Sequence, residues 1–486
     1  MSNSKLKEQT ISGLFWQFSQ KWAAQFVSFS VSVILARVLL PEDFGVVALA
    51  GMFTTFFSLF VGCGMGTALI QKKDADNLDY CTIFWAQMLF STIIYIIVFI
   101  LAPWFSLLFH SPQLTSVIRV SALTMIIGTI GGIQGVIVTR QMAFKIYFYR
   151  TLVASVFSGF IGIILALRGW GVWALVAQHM SSTIIGIIAV FSQVRWIPRF
   201  VFSVERFKSM FGVGVKFMTS GLIGTVFNQL KGYMVGLKYT TADLAYYNRG
   251  EGIPHLFTQN IDASINSVLF PVFSKLQNDR LAVRSAVRRS IKTSSFLIFP
   301  IVLGLAAIAE NLVVLLYTEK WIPCIPFMQL FCISECFTIL NTANLQVLRG
   351  IGEVNTLLKM ELYKKPILIA ILAVTVFISP LAIAMGMVLY GIYTMFVNAF
   401  PNRKFIHYHI KDQIKDVGDN ALLSIFMAVC VFLIGFLDIN PYILVTIQVI
   451  VGIVIYMGIS QLLHVESWEY VKAYAKPYFH KIKGGR

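Results

Sequence analysis

The stretch CTIFWAQMLFSTIIYIIVFIL, Cys81–Leu101, decides the fold class. It contains no Asp, Glu, Lys or Arg, and its apolar side chains run on without the alternation of a half-buried strand. A helix needs about 20 such residues to cross the hydrocarbon core of a bilayer. Lipid offers no hydrogen bonds, so a spanning segment must satisfy its own backbone. The stretch therefore predicts a membrane-spanning helix.

Similar runs recur from one end of the 486-residue chain to the other. Apolar residues make up 57% of the chain and charged residues only 13%, whereas a soluble domain carries about a quarter charged residues. We therefore expect an all-α integral membrane protein of about fourteen spans. The predicted spans are 13–36, 44–70, 81–101, 114–138, 151–167, 171–191, 210–237, 246–273, 296–317, 325–348, 359–379, 381–400, 421–437 and 441–463.

The net charge is +17, and the positive residues are distributed unevenly between the two sides of the predicted spans. With the N-terminus inside, most of the 39 Lys and Arg fall in inner connectors and tails, and the outer connectors hold only Arg37, Arg168, Lys238 and Lys320. This is the positive-inside pattern, and it places both termini in the cytoplasm. It also argues against nucleic acid as a partner. The polar start MSNSKLKEQTISG lacks a signal-peptide core and is predicted to lead into the first span.

No pattern of catalytic or metal-binding residues is present. The six cysteines lie mostly in or beside apolar runs, and Cys332 and Cys336, four apart on one helix, lack further ligands nearby. The outer connectors are short and carry no nucleophile–base pair or phosphate-binding glycine loop. We therefore predict neither an enzyme nor a cofactor or metal.

Polar residues recur at helical spacing inside several spans, so each set shares one helix face. A lysine or arginine at the centre of a membrane costs roughly 2.5–3.5 kcal/mol on insertion scales, so such faces are expected to line a wet cavity or meet a partner helix. The four sets are Gln17, Lys21, Gln25, Ser28 and Ser32; Lys216, Ser220, Gly224, Asn228 and Lys231; Glu251, His255, Gln259, Asp262 and Asn266; and Glu335, Thr338, Thr342 and Gln346.

Several ordered segments carry a family resemblance, and two of them suggest an internal repeat near 200 residues. LARVLLPEDFGVVALA from Leu35 parallels VGLKYTTADLAYYNRG from Val235. With RGWGVWALV, LFPVFSKLQND, AENLVVLLYTEKW and VLRGIGE, the chain resembles the multidrug/oligosaccharidyl-lipid/polysaccharide exporter superfamily, in its Wzx-type, colanic-acid-exporter-like branch.

This resemblance implies an architecture and a function. It implies two six-helix lobes, related by a pseudo-two-fold around a central cavity, plus two C-terminal helices. We assign the lobes to 1–192 and 193–400, and the last two spans with the basic tail to 401–486. The implied substrate is an undecaprenyl-diphosphate-linked oligosaccharide of O-antigen, capsule or exopolysaccharide, flipped across a bacterial inner membrane by ion-coupled alternating access.

The polar faces supply the candidate substrate contacts. The cations are predicted to receive the diphosphate or acidic sugars through charge-assisted hydrogen bonds, and the amides to contact sugar hydroxyls. The alternative is that the charges only pair with carboxylates and tie the bundle together. The candidates are Lys21, Lys216, Lys231, Arg249, Gln17, Gln25, Asn228 and Gln259.

Uphill transport requires a coupling ion, a proton or sodium. Carboxylates at membrane depth can bind and release a proton because loss of water favours their neutral form, and an imidazole titrates near neutrality. The candidates are Asp262, Glu335, Glu310 and His255. Simple charge pairing is the competing interpretation, and Glu310 in AENLVV has a local capping or packing role as its alternative.

Rival functions remain within the same class of proteins. A lipid II flippase would share the fold and a cationic cavity, whereas a drug or cation antiporter would favour an acidic pocket. The basic connector 275–292 is explained by topology and by anionic lipid. Docking of a glycan polymerase and chain-length machinery is its other interpretation.

Overall fold

The structure, a computed structural model, describes residues 22–276, 279–470 and 472. No strand occurs among them, which confirms the all-helical class. The helices are α1 (Trp22–Val38), α2 (Pro41–Gly62), α3 (Met65–Gln71), α4 (Asn77–Leu108), α5 (Gln113–Ile130), α6 (Gly132–Arg140), α7 (Phe144–Leu167), α8 (Val172–Phe191), α9 (Val204–Lys238), α10 (Thr241–Lys275), α11 (Arg280–Ala307), α12 (Ala309–Tyr317), α13 (Ile325–Gly350), α14 (Val354–Thr375), α15 (Pro380–Ala399), α16 (Asn402–Ile406), α17 (Ile410–Ile434) and α18 (Pro441–Leu462).

Eleven segments of the described chain are long and apolar enough to cross a membrane. The other three predicted spans correspond to α1, which is shorter over its described part, and to α10 and α14. The 35-residue helix α10 carries the polar face that runs from Glu251 to Asp262. Fourteen spans remains a prediction.

Three predicted spans are not continuous helices. The second is broken between α2 and α3, the fourth between α5 and α6, and the ninth between α11 and α12. At the first break Cys63 and Gly64 have φ values of 42° and 64°. A Cβ at Gly64 would lie 2.2 Å from the carbonyl oxygen of Gly214 on α9. Glycine is favoured there for both reasons, because it adopts a positive φ without the strain of a side chain and has no Cβ to clash with the approaching backbone.

The chain forms two compact units, Met1–Ala245 and Tyr246–Arg486. In the first unit α9 packs on α2, α3 and α4. Because of these contacts α9 belongs to the first compact unit, so the boundary between the units lies after α9 and not at residues 192/193, where the resemblance places it. The assignment of 1–192, 193–400 and 401–486 as lobes and extra helices stays a prediction. In the second unit α11 packs on α13 and α17, and α13 on α15.

Each unit has its own apolar interior. In the first, α1 packs on α7 and α8 through a cluster that contains Val31, Leu35 and Leu175. In the second, Tyr247 of α10 is fully buried against the rings of Phe327 and Phe331 on α13. These contacts fix α10 on α13 and so set the register of the polar residues one to two turns further along α10.

Candidate functional site

Helix α9 exposes polar side chains along much of its length. Lys216, Ser220 and Asn228 are exposed and Lys231 is half-buried, although the helix is apolar enough to span a membrane. Among the described residues, no carboxylate lies within 4.0 Å of the Lys216 ammonium group. Within the described part of the chain, Lys216 is therefore not paired with a carboxylate, and its role in substrate binding stays a prediction.

The position of α9 is fixed at its start by a buried carboxylate. Asp79 of α4 is fully buried, and its oxygens lie 2.7 Å from the Lys72 ammonium and 3.0 Å from the Arg206 guanidinium of α9. Arg206 also pairs with Asp76, the N-cap of α4. The hydrogen bond from Arg206 and that from the backbone of Asp79 lower the pKa of Asp76 from 3.8 to about 2.

The two candidates nearest the N-terminus, Gln17 and Lys21, lie outside the described residues. Gln25, on the same predicted face of the first span, lies half-buried in α1. The proposed role of this face therefore stays a prediction.

The second unit brings two of the coupling candidates together. The Glu335 carboxylate of α13, which is 9% exposed, lies 3.2 Å from Nδ1 of His255 on α10. It also accepts a 2.7 Å hydrogen bond from the Thr258 hydroxyl. The imidazole side chain is 55% exposed. A buried carboxylate thus contacts an exposed imidazole.

The remaining candidates of α10 and α12 lie in different surroundings. Gln259 is exposed and Asp262 is half-buried, one and two turns beyond His255. Glu310 is exposed in the first turn of α12, where a carboxylate is stabilised by the positive end of the helix dipole. That location favours the local role of Glu310 over coupling.

Arg249 contacts aromatic side chains of its own unit. Its guanidinium lies 4.7 Å from the ring centre of Tyr317 and 4.9 Å from that of Trp321, and both rings are buried. Cations are attracted to the faces of such rings. The contact assigns Arg249 a packing role at the end of α12, and its role in substrate binding stays a prediction.

The sequence analysis missed the buried ionic cluster of the second unit. Asp416 of α17 accepts from Nε of Arg288 at 2.8 and 2.9 Å and lies 3.3 Å from the Lys292 ammonium. The Tyr408 hydroxyl donates to it at 2.9 Å. Burial and the Asp416 carboxylate raise the pKa of Tyr408, and a hydrogen bond from Lys292 lowers the pKa of Glu466.

The signal for this cluster was the spacing of its charges. Arg284, Arg288 and Lys292 recur every four residues on α11, and Asp412 and Asp416 do so on α17. Two faces of opposite charge at the same spacing predict a helix pair. The sequence analysis explains this basic set by topology and anionic lipid, and does not pair it with the acidic residues of α17.

No group of three or more His, Cys, Asp and Glu side chains suited to a metal ion occurs among the residues that the structure describes.

With this geometry established, comparison with known proteins identifies the class. The family model described as polysaccharide biosynthesis protein matches residues 34–326. The chain belongs to this family. The predicted resemblance to polysaccharide exporters is thereby confirmed.

Three relatives are named for the biosynthesis of succinoglycan, teichuronic acid and lipopolysaccharide. The succinoglycan biosynthesis transport protein ExoT of Rhizobium meliloti is 24% identical over 70% of this chain and 68% of its own. The teichuronic acid biosynthesis protein TuaB of Bacillus subtilis is 21% identical over 71% and 72%. The lipopolysaccharide biosynthesis protein WzxC of Escherichia coli is 22% identical over 68% and 67%.

Solved structures share the fold. The lipid II flippase MurJ in an inward closed conformation matches with a TM-score of 0.74 at 16% identity, over 93% of this chain and 99% of its own. An inward-facing multidrug resistance transporter of the MATE family matches with a TM-score of 0.59 at 17% identity, over 79% and 94%. The chain is a multi-helix membrane protein of the polysaccharide biosynthesis family, and the solved structures that share its fold are a flippase and a transporter.

Proposed function

We propose that this transporter flips undecaprenyl-diphosphate-linked oligosaccharide repeat units from the cytoplasmic to the outer leaflet of a bacterial inner membrane. The observation that carries the proposal is the polar exposed face of α9 in a member of the polysaccharide biosynthesis family. A cation held at membrane depth suits an anionic cargo, because a charged group there needs a polar counterpart. The diphosphate of the lipid carrier provides that counterpart.

The spacing of the two α9 lysines divides their roles. Lys216 and Lys231 are 15 residues apart, which at the rise of an α-helix separates them by roughly 22 Å. One diphosphate group cannot contact both at once. We infer that they receive it at different stages of the transport cycle, with Ser220 and Asn228 offering hydrogen bonds to sugar hydroxyls between them.

A deletion strain tests the substrate class. Loss of the gene should leave lipid-linked repeat units on the inner leaflet and stop surface polysaccharide production, and the wild-type chain should restore export. Intact export together with a block in peptidoglycan synthesis would instead assign lipid II as the cargo. Extraction of polyprenyl-linked sugars and their mass analysis distinguish the two.

We further propose that transport is coupled to protons at the contact of His255 with Glu335. A proton entering at the exposed imidazole can pass to the buried carboxylate, which Thr258 holds by a hydrogen bond. Protonation of Glu335 removes the charge that favours an ion pair with His255, so the packing of α10 on α13 depends on the proton. Sodium is the alternative coupling ion.

Transport in vesicles with an imposed pH gradient tests the coupling site. Glu335→Gln should abolish acceleration by the gradient while gradient-free exchange persists, because the amide cannot take up a proton. Glu310→Gln is the matched control, since Glu310 is exposed at a helix start, and it should respond like the wild type. A full response of Glu335→Gln, or a response to sodium alone, contradicts the proposal.

We also propose a membrane topology and partners for this transport cycle. We place both termini in the cytoplasm, and the glycan polymerase and chain-length machinery downstream of the flippase.

A further inference from the structure

A groove at one end of α14 and α15 combines cations with aromatic walls. It has a volume of about 690 Å³. Its polar rim is formed by Lys359, Arg403 and Lys404, and its apolar wall includes Met360 and Phe396. All of these residues lie in the second unit, and none belongs to the site described above.

The three cations of this groove have no carboxylate partner in the described part of the chain. Among the described residues, no carboxylate lies within 4.0 Å of Lys359, Arg403 or Lys404. The neighbouring Lys364 and Lys365, on the same helix, both pair with Glu361. Within 22–276, 279–470 and 472, an acid thus pairs with the lysines beside the groove and none pairs with the cations that line it.

The cations are held in place by rings and by a buried amide. The Arg403 guanidinium lies 5.8 Å from the ring centre of Phe400, and the Lys404 ammonium lies 5.7 Å from that of Phe405. The preceding residue, Asn402, is fully buried and donates a 2.6 Å hydrogen bond to Asn344. Because Asn402 is fixed inside the unit, the two residues after it are presented outward.

The surface beside the groove is apolar. Leu358 and Leu362 of α14 are 60% and 73% exposed, and Phe396 and Phe400 of α15 are 43% and 62% exposed. Such a surface on a membrane protein is expected to meet lipid chains. The connectors at this end are basic, so the positive-inside pattern assigns it to the cytoplasmic leaflet, where anionic lipids concentrate.

We propose that the groove binds one anionic glycerophospholipid of the cytoplasmic leaflet. Its phosphate would lie among Lys359, Arg403 and Lys404, and its acyl chains would follow Met360 and Phe396 along α14 and α15. Charge complementarity selects an anionic head group, and the continuous apolar wall selects a lipid over a free phosphate ion. This site goes beyond the proposed function, because it holds a resident lipid and lies outside the cargo contacts.

Native mass spectrometry of the purified full-length protein tests the proposal. The probes are dioleoyl phosphatidylglycerol, dioleoyl phosphatidylcholine, inorganic phosphate and undecaprenyl phosphate. We expect one phosphatidylglycerol to be retained, and the variant Lys359→Gln/Arg403→Gln/Lys404→Gln to bind it at least about tenfold more weakly. The matched control Arg280→Gln/Lys411→Gln/Lys415→Gln removes three other cations from the same side and should bind within about twofold of the wild type.

Each other result overturns the proposal. If phosphatidylcholine is retained as well as phosphatidylglycerol, the groove does not select a charged head group. If inorganic phosphate binds as tightly as phosphatidylglycerol, the acyl chains do not contribute to binding. Displacement of phosphatidylglycerol by equimolar undecaprenyl phosphate assigns the groove to the cargo. If the control variant binds phosphatidylglycerol as weakly as the groove variant, binding reflects general attraction between a basic surface and an anionic lipid. If the triple variant does not fold, Lys359→Glu at an exposed position provides the same comparison.

Discussion

In each unit a buried aspartate pairs with two cations. The two arrangements differ in which helix carries the acid and which carries the cation. In the first unit the acid, Asp79, lies on α4 and the cation Arg206 comes from the attached helix α9. In the second unit the acid, Asp416, lies on the attached helix α17, and the cations Arg288 and Lys292 lie on α11. The starts of α4 and α11 otherwise match, since Asp76 and Asp279 cap them.

The comparison indicates what the two halves of the predicted internal repeat would share. Each unit fastens an additional helix to the start of a corresponding helix through a buried carboxylate, whichever partner carries the acid. The fastened helices differ in character. Helix α9 exposes Lys216 and Asn228, whereas α17 exposes Leu422, Phe426 and Val429. We therefore expect the first ion pair to affect transport and the second to affect stability.

The largest effect is expected from Asp416→Asn. It leaves Arg288 and Lys292 without their carboxylate, and the Lys292 side chain is only 10% exposed. Breaking a buried ion pair from one side costs about 3–5 kcal/mol. Thermal unfolding of the purified protein measures the loss. Asp412→Asn removes an exposed pair with Arg284 at 3.6 Å and keeps an amide oxygen to accept the His409 backbone N–H at the start of α17, so it should cost at most about 1 kcal/mol. Equal losses would contradict the account.

A smaller loss is expected from Asp79→Asn in the first unit. The side chains of Lys72 and Arg206 are 36% and 33% exposed, so water can solvate both once the carboxylate is gone. We expect about 1–3 kcal/mol, the cost of unmet buried hydrogen bonds. A loss larger than that of Asp416→Asn in the same unfolding assay would reverse the comparison.

Arg206→Gln should separate transport from stability. The substitution releases the start of α9 while Lys72 still neutralises Asp79. We expect little change in unfolding temperature but about tenfold slower flipping, because small displacements of binding groups are costly. Arg284→Gln is the matched control in the second unit and should flip at the wild-type rate. Equal rates in both variants would remove α9 from the mechanism.

The smallest effect concerns acid pH. The folded pKa of Asp76, about 2, lies below its ordinary value of 3.8. Its contribution to stability is therefore present above about pH 4 and is lost as the pH falls towards 2. Asp76→Asn should flatten the unfolding temperature across this window. Since the Asp76 side chain is 52% exposed, the change is small. An unchanged slope would show that other carboxylates determine it.

The sequence predicted the apolar helices well and the polar ends poorly. Spans such as 381–400 and 441–463 agree closely with α15 and α18, because hydropathy alone defines them. Helices α11 and α17 begin well before the predicted residues 296 and 421. The segments before those residues are polar and contain the ion pairs of Asp416 with Arg288 and Lys292, which a hydropathy pattern does not register.

The candidate site was predicted residue by residue but not as pairs. His255 and Glu335 were each identified from helical spacing, yet their contact depends on how α10 packs on α13 through Tyr247. Arg249 was predicted from its depth, but its two aromatic neighbours lie about 70 residues further along the chain. Spacing identifies a helix face, and only tertiary packing determines what that face meets.

The most direct test of the account is flipping of a lipid-linked oligosaccharide in reconstituted vesicles. An impermeant glycosidase added outside reports the sugar that becomes accessible. The wild type should expose it, Lys216→Gln/Lys231→Gln should do so at least about tenfold more slowly through loss of charge-assisted contacts, and the exposed control Lys208→Gln should match the wild type. Wild-type rates in the double variant, with equal protein per vesicle, would contradict the claim that α9 carries an anionic cargo.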